Sequence, residues 1–282
     1  MTLHLASTGT LDVEHTLRVL KLHSLPSQER IDESTAQVHR VLRLDDHLVE
    51  VRLTLQTIGV SIEHDAPNDL VPKLRTTIDR WLGLSQDTSC AYASVHEQPT
   101  LARLARASNN LRLISYPTIF EALATTIIGQ QVSLAAARTL AGRYVEKLGE
   151  LHPCGLRTFP TAQVTASLDP LQLQAIIRCP LARATTLHTV ASWYQNFGRQ
   201  LAGQDQQFLA QLLALRGVGP WTKDYMALRG LRMPDVFLTS DLVIRRAIIN
   251  ADVRQQDIDR LPTPARYLAT LLLWDYDARG QV

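Results

Sequence analysis

Residues 212–246 read LLALRGVGPWTKDYMALRGLRMPDVFLTSDLVIRR, and the organisation of the chain follows from them. Leu209, Leu212, Leu213 and Leu215 have helical spacing and run into Gly217-Val218-Gly219. Pro220, Trp221 and Thr222 open a second helix that carries Tyr225, Met226 and Leu228. Proline suits a first helical turn, where its missing N–H would have no partner anyway. The spacing therefore predicts helix, tight Gly-Val-Gly turn, helix. Glycines let a backbone approach a ligand closely. The free N–H groups of the second helix favour an anion, a phosphate above all. An αα-hairpin whose glycines serve packing alone reads equally well from these three residues.

Outward from the hairpin, the chain is helical almost without break from Thr118. Phe120, Leu123, Ile127 and Ile128 make one apolar face, and Val132, Ala135, Ala136, Leu140 and Tyr144 another. Gly129-Gln130-Gln131 interrupts them as a helix–helix junction, and residues 151–161 read as a loop. Further helices are expected over 162–167, 170–178, 181–197 and 206–215, a short one from Asp257, and a last one over 265–276. Residues 1–108 are mixed. Segments 38–44 and 48–55 alternate as strands around a turn at Asp45-Asp46-His47, with a third strand near 60–62. Asn68 is the expected cap of a helix with Leu70, Leu74, Ile78 and Trp81 on one face, and Gly83 its stop. The fold class is α+β: an N-terminal antiparallel-sheet domain over 1–112 with one or two packed helices, then a mostly helical region over 113–282.

The 282 residues are 45% hydrophobic and 20% charged, which excludes a disordered chain. Residues 1–11 lack a basic region followed by an apolar run, and no apolar segment reaches membrane-spanning length. A soluble protein with no membrane partner is the expectation. Cys90, Cys154 and Cys179 are too few for an iron–sulfur cluster and form neither a disulfide framework nor a CxxC site, and the nine histidines show no metal-ligand spacing. Three unpaired thiols suit a reducing cytoplasm. Residues 1–108 hold 11 Lys and Arg against 14 Asp and Glu, and residues 109–282 hold 18 against 13. The C-terminal part is thus the better partner for a polyanion.

Several segments carry a resemblance. Leu215-Arg216-Gly217-Val218-Gly219 followed by Thr239-Ser240-Asp241 resembles the hairpin, loop and aspartate of the helix-hairpin-helix DNA glycosylase superfamily. Arg216 stands where that family usually has proline. The stretches EALATTIIGQQVSLAAARTL, FPTAQVTASLDP, CPLARATTL and LLLWDYD are similar, in that order, to AlkA-type 3-methyladenine DNA glycosylases, and the N-terminal part to their extra α+β domain. The likeness covers nearly the whole chain and is strongest over 118–246.

The resemblance implies a monofunctional enzyme of base excision repair. It would bind damaged double-stranded DNA, flip an alkylated base out of the helix and hydrolyse its N-glycosidic bond, in the cytoplasm and associated with the nucleoid. Asp241 takes the catalytic position, where a carboxylate stabilises an oxocarbenium-like sugar; from the residues alone, the N-cap of a helix from Leu242 is the readier reading, and the two roles are compatible. Trp221, Tyr225 and Trp274 match base-pocket positions, and an electron-rich pocket suits a cationic alkylated purine. Core packing is their other reading. Related enzymes that also cleave the backbone have a lysine where Trp221 stands, and Lys223 would point about 200° away on a helix. Gln131 sits where relatives fill the gap left by the flipped base, though they carry an apolar residue there. Gly217, Gly219, Thr222 and Arg245 (with Arg246 beside it) are the expected phosphate contacts. The carbonyls of Leu213, Leu215 and Val218 are candidates for a monovalent cation, Na or K; no other cofactor is required. Two alternatives stay open: a deaminated or oxidised base as preferred substrate, and a non-catalytic DNA-binding module.

Overall fold

A computed structural model of the chain describes residues 1–280, so the last two positions of the expected 113–282 region lie outside the described residues. The two expected strands form the centre of a five-stranded antiparallel sheet. Its members are β1 (Thr2–Ala6), β2 (Glu29–Asp32), β3 (Gln37–Leu44), β4 (His47–Gln56) and β5 (Gly59–His64), in the order β1-β5-β4-β3-β2. Leu44 pairs with His47, so the β3–β4 turn is the two residues Asp45-Asp46, with Asp45 in the left-handed region such a tight turn demands. Alternation puts Val38, Leu42, Leu44, Val49, Val51 and Leu53 on one buried face. That face packs on α1 (Val13–His23) and α2 (Val71–Leu82) through Leu17, Leu20, Leu74, Ile78 and Trp81. Each such fully buried side chain contributes about 1.5–3 kcal/mol.

Edge strands β1 and β2 are short, which is why alternation alone did not reveal them. Asn68 does not cap α2: its side chain makes no capping hydrogen bond, and a 3-10 turn over Asn68–Leu70 leads into the helix instead. Pro72 lies in the first turn of α2 and fixes its entry without side-chain help. Gly83 ends the helix in the left-handed region, as expected.

The remaining elements are helices: α3 (Ser89–His96), α4 (Pro99–Ala107), α5 (Ile119–Ile128), α6 (Leu134–Leu148), α7 (Ala162–Ala166), α8 (Pro170–Ile177), α9 (Leu181–Asn196), α10 (Asp205–Leu213), α11 (Pro220–Tyr225), α12 (Leu242–Asn250), α13 (Gln255–Asp259) and α14 (Arg266–Arg279). They enclose two further cores. One joins α5, α6, α9 and α10 through Phe120, Ile127, Tyr144, Leu187 and Leu212. The other joins α3, α4, α12 and α14 through Val95, Leu101, Ile244, Leu268 and Leu272. The latter draws residues from both sides of position 112. Tyr225 and Val236 pack against both helical cores, so the hairpin's second helix lies on their border.

Asp275 ties the first helix to the last. It accepts hydrogen bonds from Arg18 at 2.9 Å on α1 and from Ser108 at 2.6 Å, and its carboxylate lies 3.1 Å from the His15 ring. Among the described residues, no helix is long and apolar enough to cross a membrane.

Candidate active site

The hairpin is built by local hydrogen bonds and one steric requirement. Helix α10 ends at Leu213, and Val218 N–H donates to Leu215 O at 3.1 Å to close the turn. Gly217 has φ +89°, and a Cβ there would stand 2.0 Å from Thr186 Oγ1, so both backbone and space require glycine. Gly219 meets neither constraint. Its φ is −108° and open space surrounds its Cβ position, which leaves the start of α11 approachable.

Gln130 was not singled out in the sequence, yet it joins the α5–α6 junction to the hairpin. Its carboxamide donates to Gly217 O at 3.1 Å and to Thr222 Oγ1 at 3.0 Å, while Arg183 donates to its carbonyl at 2.5 Å. The Thr222 side chain is buried and its hydroxyl faces Gln130, so it serves the hairpin rather than offering a hydroxyl to a phosphate. Gln131 is exposed at the tip of the same junction with φ +55°. Arg245 is exposed, and its Nε donates to Thr239 O at 3.0 Å, which leaves the rest of the guanidinium outward. Arg246 is committed elsewhere, in a two-point pair with Asp277 at 2.8 and 2.6 Å.

Asp241 is 8% exposed and does what an N-cap does. Its Oδ1 accepts from Val243 N–H at 3.0 Å and Ile244 N–H at 3.1 Å, which satisfies two donors at the start of α12. Its Oδ2 accepts from the Trp221 indole at 2.9 Å. The capping interaction fixes the carboxylate's direction, and the indole bond fixes α11 against it. Residues separated by 20 positions are thus joined at one carboxylate.

The three aromatic residues form a continuous run. Trp221 and Tyr225 have ring centroids 5.2 Å apart, and Tyr225 and Trp274 6.0 Å. All three are half-buried. They line the border of the two helical cores beside Asp241. Lys223 points to its own neighbour, pairing with Asp224 at 3.1 Å.

Behind this run lies a second group that the sequence did not reveal. Helix α11 widens into a π-turn over Met226–Gly230, where Leu231 N–H reaches back to Met226 O. This turn carries Arg229, whose guanidinium lies 5.3 Å from the Tyr116 ring and 6.0 Å from the Tyr225 ring. Arg229 is 4% exposed and its Nη1 lies 3.5 Å from the His23 Nε2. Burial, then the nearby guanidinium of Arg229, pushes His23 down to about 3. Burial also holds the Tyr116 hydroxyl well above its ordinary range.

No family model matches the chain. It is 28% identical over 204 residues to the DNA-3-methyladenine glycosylase of Bacillus subtilis, a match over 70% of this chain and 66% of that protein. It is 35% identical over 154 residues to DNA-3-methyladenine glycosylase 2 of Escherichia coli, over 52% of this chain and 53% of that protein. The chain thus spans between half and two thirds of the length of these relatives. The solved structure of the 3-methyladenine DNA-glycosylase from Archaeoglobus fulgidus superposes with a TM-score of 0.83 over 99% of both chains at 21% identity, a likeness of fold. The chain thus shares the fold of that solved structure and is similar in sequence to these DNA-3-methyladenine glycosylases. Its sequence resembles the AlkA-type DNA-3-methyladenine glycosylases.

Proposed function

We propose that this chain is a monofunctional DNA glycosylase. It extrudes an alkylated base of the 3-methyladenine or 7-methylguanine type from damaged double-stranded DNA and hydrolyses the N-glycosidic bond, leaving an abasic site. The observation that carries this reading is the 2.9 Å hydrogen bond from Trp221 to a carboxylate already held by the start of α12. A carboxylate fixed by three N–H donors, and beside an aromatic run, suits stabilisation of a sugar cation as the base departs. Stacking on Trp221, Tyr225 and Trp274 supplies about 0.5–2 kcal/mol of cation–π attraction per good contact to a charged base. The charged base leaves readily, so a water activated or positioned by Asp241 completes the reaction. No amine attack is needed, in keeping with the Lys223–Asp224 pair.

In this reading Gly217 and Gly219 offer N–H groups to a DNA phosphate, and Arg245 adds a second contact. Gln131 enters the space left by the extruded base, whose removal from the stack costs a few kcal/mol. The Leu213, Leu215 and Val218 carbonyls are the hard oxygen donors that a Na or K ion takes, and such an ion would brace the phosphate site. Residues 1–112 act as a supporting domain. Residues 113–282 form the glycosylase region, with the cleft between two helical subdomains. The enzyme works in the cytoplasm on nucleoid DNA.

Arg229 favours a second reading, a neutral lesion such as a deaminated or oxidised base. A base stacked on the far face of Tyr225 would stand roughly 9 Å from the guanidinium, and two cations so placed repel by about 2 kcal/mol at an effective dielectric near 20. That equals one good cation–π contact. Chromatography of bases released from methylated duplex DNA, with strand breaks scored before and after alkali, separates the readings. Release of 3-methyladenine or 7-methylguanine, with breaks only after alkali, is expected. Release from deaminated or oxidised substrates alone would favour the second reading, and breaks without alkali would contradict a monofunctional enzyme. Binding without any release would leave a DNA-binding module.

A further inference from the structure

We propose that the outer face of the N-terminal sheet holds a thiophilic divalent cation, zinc foremost, between His39, Glu50 and Cys154, with His152 at the fourth position. The proposal is independent of the cleft. Strand register puts His39 opposite Arg52 and Val41 opposite Glu50, so His39 and Glu50 are diagonal neighbours on the face turned away from α1 and α2. The His39 Nε2 and Glu50 Oε1 atoms are 2.8 Å apart. The loop between α6 and α7 lies across that face. It is fixed by the Arg43–Glu150 ion pair, by a bridge between Leu151 and Arg157, and by Arg157 N–H donating to Ser27 O at 2.7 Å. Within it, Gly155 N–H donates to His152 O at 2.9 Å, and the tight turn presents Cys154 to the sheet.

The donor atoms of His39, Glu50 and Cys154 all lie within 4.8 Å of one another. The His152 Nδ1 atom stands 3.9 Å from the other oxygen of Glu50 and accepts the Cys154 N–H at 3.3 Å. Tetrahedral zinc with bonds of about 2.0–2.3 Å needs its ligands roughly 3.3–3.8 Å apart. Bringing the His39, Glu50 and Cys154 donors to that spacing takes movements of about an ångström, within the reach of half-buried side chains, and His152, whose nitrogen groups with Glu50 and Asp65, approaches the ion from the Glu50 side. Imidazole, thiolate and carboxylate together select zinc over magnesium or calcium.

Two arginines border the site: Arg30, paired with His39 across β2–β3, and Arg52, which donates to Glu50 at 2.9 Å. They do not forbid a cation. Cys154 releases its thiol proton to water on binding, so thiolate and carboxylate balance the two charges of the ion and the arginines face a neutral centre. The bound ion would staple the α6–α7 loop to the sheet, making a link between the sheet layer and the first helical core. Local spacing conceals this group because its members are 39, 50, 152 and 154 in the chain.

The test uses the whole protein, freed of metal with a chelator and titrated with cobalt(II) and then zinc(II). Expected are tetrahedral cobalt absorption with a thiolate charge-transfer band, displaced by zinc, and a zinc-dependent rise in melting temperature. Cys154→Ser should abolish the charge-transfer band and weaken affinity at least about 100-fold, and His39→Gln should weaken it similarly. Cys90→Ser, at an exposed position of α3, should change neither. Circular dichroism of the two ligand variants confirms that they fold. Absence of a charge-transfer band in the wild type, or a band that survives Cys154→Ser, would overturn the proposal.

Discussion

Two buried carboxylate sites, one beside the hairpin and one in the seam between the sheet layer and the helices, are satisfied by different means. Beside the hairpin, Asp241 accepts only N–H groups without formal charge, from Val243, Ile244 and Trp221. In the seam, Glu29 and Glu121 share one guanidinium, Arg40, at 3.2 and 2.5 Å. Arg40 also lies 4.9 Å over Trp81, and burial pushes the Glu29 carboxyl up against the pull of Arg40. The seam borders a small, partly open cavity of about 30 Å³, room for a water or two. Dipolar donors orient a carboxylate and leave its charge to act on a cation, whereas a guanidinium cancels that charge. The ion-paired seam therefore suits structure, and the Asp241 carboxylate suits chemistry.

The largest effect should come from breaking the seam. Arg40→Met strands two buried carboxylates and should cost about 3–5 kcal/mol by urea unfolding, with base release per folded molecule unchanged. Replacing all three charged residues with apolar ones of similar volume should recover most of that loss. Next comes the hairpin. Gly217→Ala should cost about 1–2 kcal/mol for its backbone and about 1–3 kcal/mol for overpacking on Thr186. Gly219→Ala should stay within about 0.5 kcal/mol in stability and yet weaken DNA binding, measured by fluorescence anisotropy.

Trp221→Phe keeps a ring and removes the donor to Asp241. Base release should slow tenfold to a hundredfold, about the 1.5–3 kcal/mol of a hydrogen bond to a charged group, with little change in unfolding midpoint. His23 gives a pH dependence. Its folded value near 3 lies below the ordinary 6.5, so the unfolded chain binds the extra proton between them. Stability is therefore complete above pH 6.5 and falls as pH drops towards 3, at no more than about 1.4 kcal/mol per pH unit. Partial exposure of the ring narrows that pH range. His23→Gln should flatten the acid limb of stability followed by circular dichroism.

The same contrast explains what the sequence disclosed. Trp221, Tyr225 and Asp241 lie within one stretch, where helical spacing and a Gly-Val-Gly turn expose their relation. The β3–β4 pair was legible from alternation, and the C-terminal helix from its apolar run. Arg40, Glu29 and Glu121 were not, because 81 positions separate Arg40 from Glu121 and only the packed seam brings them together. Gln130 and Arg229 stayed hidden for a related reason. A glutamine at a helix junction and an arginine after a hairpin look solvated until the π-turn and the α5–α6 junction aim them inward. Asn68 misled because a proline in the first turn did the work assigned to a cap.

The decisive experiment compares wild type with Asp241→Asn in single-turnover base release from methylated duplex DNA, with DNA affinity measured on both. Asparagine caps a helix about as well as aspartate, so folding and DNA binding should be retained. The rate should fall at least about 100-fold, as when a preorganised electrostatic contact is removed from a transition state. An unchanged rate with unchanged affinity would leave Asp241 a helix cap alone and contradict the assignment of the cleft.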